Sequence, residues 1–206
     1  MDSATRRILE SPLDRVARLL DRAWISPNQI TAAGLVLGVA GAVAAGLQSW
    51  SVAFVLWLLS RLADGLDGPL ARKRVAVGIP VSDAGGFLDI SADFVVYGTM
   101  VLGVAIGTSQ EFRAPMWPFL FVLVAYYVNG SSLLAFSSIA EKTGRQVYDG
   151  RSLSFLAGFA GATETILVHS TWLLFPAHAW PLALVWAAVV IVDAVHQIVT
   201  GYRALS

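Results

Sequence analysis

The chain has 206 residues, of which 56% are hydrophobic and 14% charged, and its mean hydropathy is +0.67. A soluble domain carries about 25% charged residues, so the composition excludes an ordinary soluble enzyme and defines an integral membrane protein. The absence of cysteine excludes disulfides and thiolate metal sites. The formal net charge of zero says little, because the charges are segregated by side.

In chain order, residues 4–24 read as an amphipathic helix. Leu9, Leu13, Val16 and Leu20 recur at helical spacing, with Arg7, Arg15, Arg18 and Arg22 largely elsewhere. Such a helix lies flat at the headgroup level; the bland alternative is a basic tail drawn to anionic lipid. These arginines flank no apolar run of the kind a cleavable signal peptide needs. Ser26, Pro27, Asn28 and Gln29 then form a helix start, with Ser26 at the N-cap, Pro27 at the first helical position and Gln29 completing a capping box. The backbone N–H groups of that first turn also suit a phosphate or a base edge.

Six apolar stretches follow, at about 29–47, 52–71, 86–107, 115–138, 153–175 and 180–200. Each is close to the roughly 20 residues that cross the hydrocarbon core as a helix. Barrel strands are about half that length and alternate in polarity, which these do not. The expected fold is therefore all-α: six transmembrane helices preceded by an amphipathic juxtamembrane helix, in one membrane domain, 1–206. Small residues recur every fourth position: Gly34 and Gly38, Ala42 and Gly46, Gly103 and Gly107, Ala157 and Gly161. This spacing lets helices approach closely. Trp24, Trp50, Trp117 and Trp180 flank spans as an aromatic belt does.

The basic residues fix the orientation. Twelve of them fall before the first span, after the second, after the fourth and after the sixth, against Arg113 alone on the other side; Arg61 lies within a span. Short loops rich in Lys and Arg face the cytoplasm. Both termini are accordingly expected there, in a cytoplasmic (inner) membrane. Lys142, Arg145 and Arg151 need no further explanation than this rule, although they also suit an acceptor phosphate.

Four aspartates interrupt the second and third spans. Asp64 and Asp67 are spaced i, i+3; Asp89 and Asp93 are spaced i, i+4. Either spacing puts a pair on one helix face, and consecutive antiparallel spans can bring the two pairs together. A charged carboxylate at membrane depth costs about 2.5–3.5 kcal/mol on insertion scales. Hard oxygen donors suit Mg2+ or Mn2+ rather than zinc, and four carboxylates balance two divalent ions, an arrangement that clamps a phosphoryl group during in-line displacement. Gly68 and Gly85 leave room for a diphosphate near the backbone, and Arg72, near the helix end, can grip phosphate oxygens with a fork of donors. Against this stands a purely structural account, in which Arg61 pairs with Asp64 and Arg72 with Asp67. It leaves two acids and the glycines unexplained.

These residues resemble the signature of the CDP-alcohol phosphotransferase family, D-x-x-D-G-x-x-A-R followed by G-x-x-x-D-x-x-x-D. Asp64, Asp67, Gly68, Ala71 and Arg72 match the first half; Gly85, Asp89 and Asp93 match the second. The six-span layout is also similar to the family's. The segment between Arg72 and Gly85 is longer than the family's usual spacer, and the added residues, near Val75–Pro80, are expected to lengthen a cytoplasmic loop. The resemblance implies transfer of a substituted phosphate from a CDP-linked lipid, commonly CDP-diacylglycerol, to an acceptor hydroxyl with loss of CMP. It also implies two Mg2+ or Mn2+ ions on Asp64, Asp67, Asp89 and Asp93, with Asp93 doubling as general base. Gly68 and Arg72 would contact the cytidine diphosphate, Asn28 and Thr31 would border the nucleotide, and Ser82 would lie near the donor phosphates. A homodimer among membrane lipids is implied, and no nucleic-acid partner.

A carboxylate bound tightly to a metal is a poor base, so Asp93 is expected to bind weakly or through one oxygen. Outside the cluster, Glu164 in the fifth span is expected to bind the acceptor, partner a buried base or pair with an arginine. Asp193 and His196 are expected to form a local hydrogen bond, and His169 and His178 to be interfacial. Two rival functions use similar residues. An intramembrane prenyltransferase also holds a diphosphate through Mg2+ on helical aspartates, but would release pyrophosphate. A cation transporter would need acids across the bilayer, and here they gather near one face.

Overall fold

A computed structural model describes residues 26–78, 83–144 and 160–206. Residues 4–24, Ser82, Arg145, Arg151, Ala157 and the first part of the fifth apolar stretch lie outside the described residues. The described chain is all-helical. Its α-helices are α1 (Pro27–Gly46), α2 (Trp50–Ala76), α3 (Asp83–Phe112), α4 (Trp117–Lys142), α5 (Ala162–Leu174) and α6 (Ala179–Leu205), with a 3-10 turn, Pro176–His178, before α6. Four segments are long and apolar enough to cross a bilayer: Pro27–Gly46, Ala84–Phe112, Trp117–Lys142 and Pro176–Leu205. The chain is a multi-pass membrane protein. α2 matches them in length, but its run is broken by Arg61, Asp64 and Asp67. α5 is described over only 13 residues.

α1 starts as its sequence dictates. The Ser26 hydroxyl accepts from Gln29 N–H at 3.2 Å, and Gln29 Oε1 accepts from Ser26 N–H at 2.7 Å, satisfying two donors that a helix start leaves orphaned. The far end of α2 differs from expectation. The helix continues through Ala76, and only then does Gly78, at φ +80°, turn the chain. Val75 and Ala76, expected in the loop, are therefore helical, and Lys73 and Arg74 lie in the last turn of the helix.

α1 lies against both α2 and α3, and each packs on α1 more closely than on the other. Its small residues make this possible. A Cβ on Gly34 would lie 3.3 Å from Ala63, and one on Gly41 3.3 Å from Leu56, both on α2. On the other side, Gly103 and Gly107 of α3 sit directly on the carbonyls of Ala42 and Ala45, where any Cβ would collide with backbone. At this end the α1–α2 turn, with Gln48 at φ +63°, is tied to the end of α3. Gln48 Nε2 donates to Gln110 Oε1 at 2.8 Å, and Trp50 Nε1 to Glu111 Oε2 at 2.6 Å.

The second half of the bundle is α4 packed on α6, with α5 between α2 and the α6 side. Its core is aromatic. Trp57, Phe119 and Trp172 are fully buried among Val96, Met100, Val122 and Val190. His169 belongs to this core. It was expected at the interface, but it is fully buried, stacks on Trp172 with ring centroids 4.7 Å apart, and lies 3.0 Å from the Tyr126 hydroxyl. The Tyr126 hydroxyl also accepts from Trp186 Nε1 at 2.7 Å. A ring with two polar nitrogens is tolerated there because a neighbour on α4 satisfies one of them. His178, in the turn before α6, is exposed.

Candidate active site

The aspartates lie at the end of α2 and α3 remote from the glycine contact. From Gly103 to Asp89, fourteen residues along α3, is roughly 21 Å at 1.5 Å per residue. α1 separates the two helices, so the acidic faces of α2 and α3 look toward each other across a gap that side chains span. Their charges act on one another throughout: Asp64 on Asp89 and Asp93, and Asp67 on Asp89 and Asp93.

Each carboxylate has its own surroundings. Asp67 is 7% exposed and accepts from the Thr31 hydroxyl at 2.5 Å. That length is typical of a charge-assisted O–H···O bond. Thr31 also sits 3.2 Å from the Pro27 carbonyl, but its single proton serves the shorter bond. Asp93 accepts from Arg61 Nη1 at 2.6 Å, and the same nitrogen lies 3.8 Å from Asp64 Oδ1. Asp64 and Asp93 keep roughly 28% and 33% of their side-chain surface open. Asp89 is half-buried and is drawn into no ion pair among the described residues. Arg72 forms no ion pair with Asp67; it is exposed, with Nη1 3.2 Å from where a Gly68 Cβ would be. Pro69 has no N–H, so the Gly65 carbonyl beside Asp64 lacks its helical partner.

Two expected donor contacts are thereby refined. Gly85 faces Asn28: a Cβ there would lie 2.9 Å from Asn28 Oδ1. Gly85 thus leaves room for the exposed Asn28 side chain at the start of α1, as Gly68 leaves room for Arg72. Thr31 is buried, and its hydroxyl donates to Asp67. Arg61, expected to pair with Asp64, makes its shorter bond to Asp93. A lone arginine inside an apolar run, three residues before an acid, was the signal in the sequence.

Among the described residues no three carboxylate or imidazole groups stand together as a ready-made metal site. The donor set nevertheless fits hard divalent cations: four carboxylates from two facing helices, with neither cysteine nor histidine among them. One positive side chain, Arg61, lies among the four.

Glu164 is not in this cluster. It occupies the first turn of α5, and its Oε2 would lie 2.8 Å from a Cβ on the N-cap Gly161. A carboxylate there is stabilised by the helix N-terminus, which accounts for an acid in an apolar stretch. Asp193, buried in α6, accepts from Asn129 Nδ2 at 3.0 Å and from Gln197 Nε2 at 2.9 Å.

A helical bundle of apolar spans with two facing aspartate pairs suits a transferase acting on activated phosphates. The model of the CDP-alcohol phosphatidyltransferase family matches residues 24–196, and the chain belongs to that family. The chain is 36% identical over 198 residues to the inner membrane protein YnjF of Escherichia coli, covering 94% of this chain and 91% of that one. It is 34% identical over 107 residues to an archaetidylinositol phosphate synthase of Pyrococcus horikoshii, covering 52% and 55% of the two chains. In fold it resembles the phosphatidylinositol phosphate synthase of Mycobacterium tuberculosis solved with CDP-DAG bound, with a TM-score of 0.67 at 24% identity over 94% and 92% of the chains. The same synthase in complex with manganese and citrate gives 0.66 at 23% identity, over 94% and 88%.

Proposed function

We propose that this protein transfers a phosphatidyl group from CDP-diacylglycerol to the hydroxyl of a small alcohol and releases CMP. The observation that carries this reading is the placing of Asp64 and Asp67 on α2 across from Asp89 and Asp93 on α3, at one end of a membrane bundle. Family membership supports a cytidine nucleotide as the leaving group. The donor is proposed as CDP-diacylglycerol because the M. tuberculosis synthase of like fold was solved with it.

In this reading Asp64, Asp67 and Asp89 hold two Mg2+ or Mn2+ ions, joined by Asp93. The ions supply charge neutralisation for the diphosphate and polarise the phosphoryl group under attack. Thr31 fixes Asp67 by its hydrogen bond. Arg72 and Gly68 receive the cytidine diphosphate, with Asn28 and Ser82 beside it, the first against Gly85. Asp93 takes the proton of the acceptor hydroxyl. That oxygen then bonds to the phosphorus carrying diacylglycerol, and the P–O bond to CMP breaks.

The rest of the reading is topological. Six spans, a juxtamembrane helix over 4–24 and a homodimer complete it. The inner membrane is the proposed location, supported by the E. coli relative, and the site faces the cytoplasm, supported by the distribution of Lys and Arg. The test is incubation of the purified protein with labelled CDP-diacylglycerol and a panel of alcohols: serine, glycerol 3-phosphate and an inositol phosphate. CMP together with one new phosphodiester lipid is expected. No CMP with any alcohol contradicts the donor, and inorganic pyrophosphate from a prenyl diphosphate would favour the rival prenyltransferase chemistry.

A further inference from the structure

Arg61 is a buried charge held on several sides. Its side chain is 5% exposed, and its guanidinium lies over Trp57 at 5.2 Å and Tyr97 at 4.9 Å from the ring centroids. Nη2 donates to Ser60 Oγ at 3.0 Å, and Ser60 Oγ donates onward to the Gly34 carbonyl of α1 at 2.7 Å. A guanidinium is always charged and presents a rigid fork. Held by two aromatic faces and by α1, it has little freedom to follow a moving carboxylate.

What it holds is Asp93 Oδ1, at 2.6 Å, while Asp64 Oδ1 is farther off at 3.8 Å. This bears on a conflict within the proposed chemistry. A carboxylate with both oxygens on a dication is a poor proton acceptor, yet Asp93 is asked to be both ligand and base. We propose that Arg61 is a positioning residue that takes one oxygen of Asp93, so that this carboxylate offers only its other oxygen to the cation and the acceptor. The proposal rests on the transferase reading above. Arg61 thereby weakens cation binding, and what it secures is a fixed position for Asp93.

The test uses Mn2+ alone, titrated into the purified full-length protein and read by the loss of the free-ion paramagnetic resonance signal. The variants are R61M, D93N and the double variant R61M/D93N. If Arg61 withholds Asp93, R61M binds Mn2+ about tenfold more tightly than wild type, because a unit positive charge beside the ligands is gone and both Asp93 oxygens are available. In the D93N background the same Arg61 change has less than about a threefold effect, the remainder acting through Asp64. Unchanged or weaker binding in R61M overturns the proposal. So does equal tightening in both backgrounds, which a general charge effect would give.

Should R61M not fold, R61K keeps the charge on a compact ammonium that lacks the fork. Tightening that depends on Asp93 is again expected, and affinity equal to wild type overturns the proposal. If wild type and every variant leave Mn2+ free, the metal reading itself fails, which is a separate result.

Discussion

The two ends of α3 solve opposite problems. At the Gly103–Gly107 end its backbone lies directly on α1, and the α1–α2 turn is fastened to it by Gln48, Gln110, Trp50 and Glu111. At the Asp89–Asp93 end side chains alone cross to α2, through Arg61. Small residues create contact in the first case; in the second they create space, with Asn28 against Gly85 and Arg72 against Gly68.

This contrast can be broken at either end. The largest effect is expected at the open end. Asp64→Ala or Asp89→Ala removes a carboxylate ligand, which deprives the reaction of several kcal/mol of transition-state stabilisation. CMP release should fall to background and Mn2+ binding should be lost; wild-type activity would exclude that residue as a ligand. Next comes the closed end. Gly103→Val or Gly107→Val drives a side chain into the Ala42 or Ala45 carbonyl, an overpacking cost of about 1–3 kcal/mol or more. Thermal midpoint and turnover should fall together. Gly98→Ala on the same helix meets no atom within 4 Å and should change neither.

Thr31→Val sharpens the comparison from α1. It deletes the bond to Asp67, worth about 1.5–3 kcal/mol for a charged acceptor. Mn2+ binding should weaken about tenfold to a hundredfold in titrations, and the thermal midpoint should fall by several degrees. The smallest effect is expected for Arg72→Lys at the exposed rim. Loss of the two-pronged contact should weaken binding of the CDP-linked donor by about tenfold and leave Mn2+ affinity intact. Equal loss of both would count against a role for Arg72 in donor binding.

Much of this was legible in the chain because it is local. The capping box at Ser26 and Gln29, the acid spacings and the close contact at Gly103 and Gly107 all follow from helical periodicity. What could not be read was which distant partner each side chain meets. Thr31 reaches Asp67 across 36 residues, Arg61 reaches Asp93 across 32, and Tyr126 reaches His169 across 43. Local pattern places a residue on a face but does not say what faces it. His169 shows this: its position along α5 suggests an interface, but Trp57 of α2, Tyr97 of α3 and Tyr126 of α4 close around its ring. The helical extension of α2 through Ala76 was missed because a family spacing was read as loop length, although nothing between Arg72 and Val77 breaks a helix.

The account depends on α2 and α3 sharing their cations. The direct measurement is Mn2+ stoichiometry in wild type and in two paired variants, D64N/D67N and D89N/D93N. Shared ligation predicts two ions per wild-type chain and none retained at wild-type affinity when either helix loses its pair. A variant stripped of one helix's carboxylates that still binds Mn2+ as tightly as wild type would show that the helices act separately, and would contradict the account.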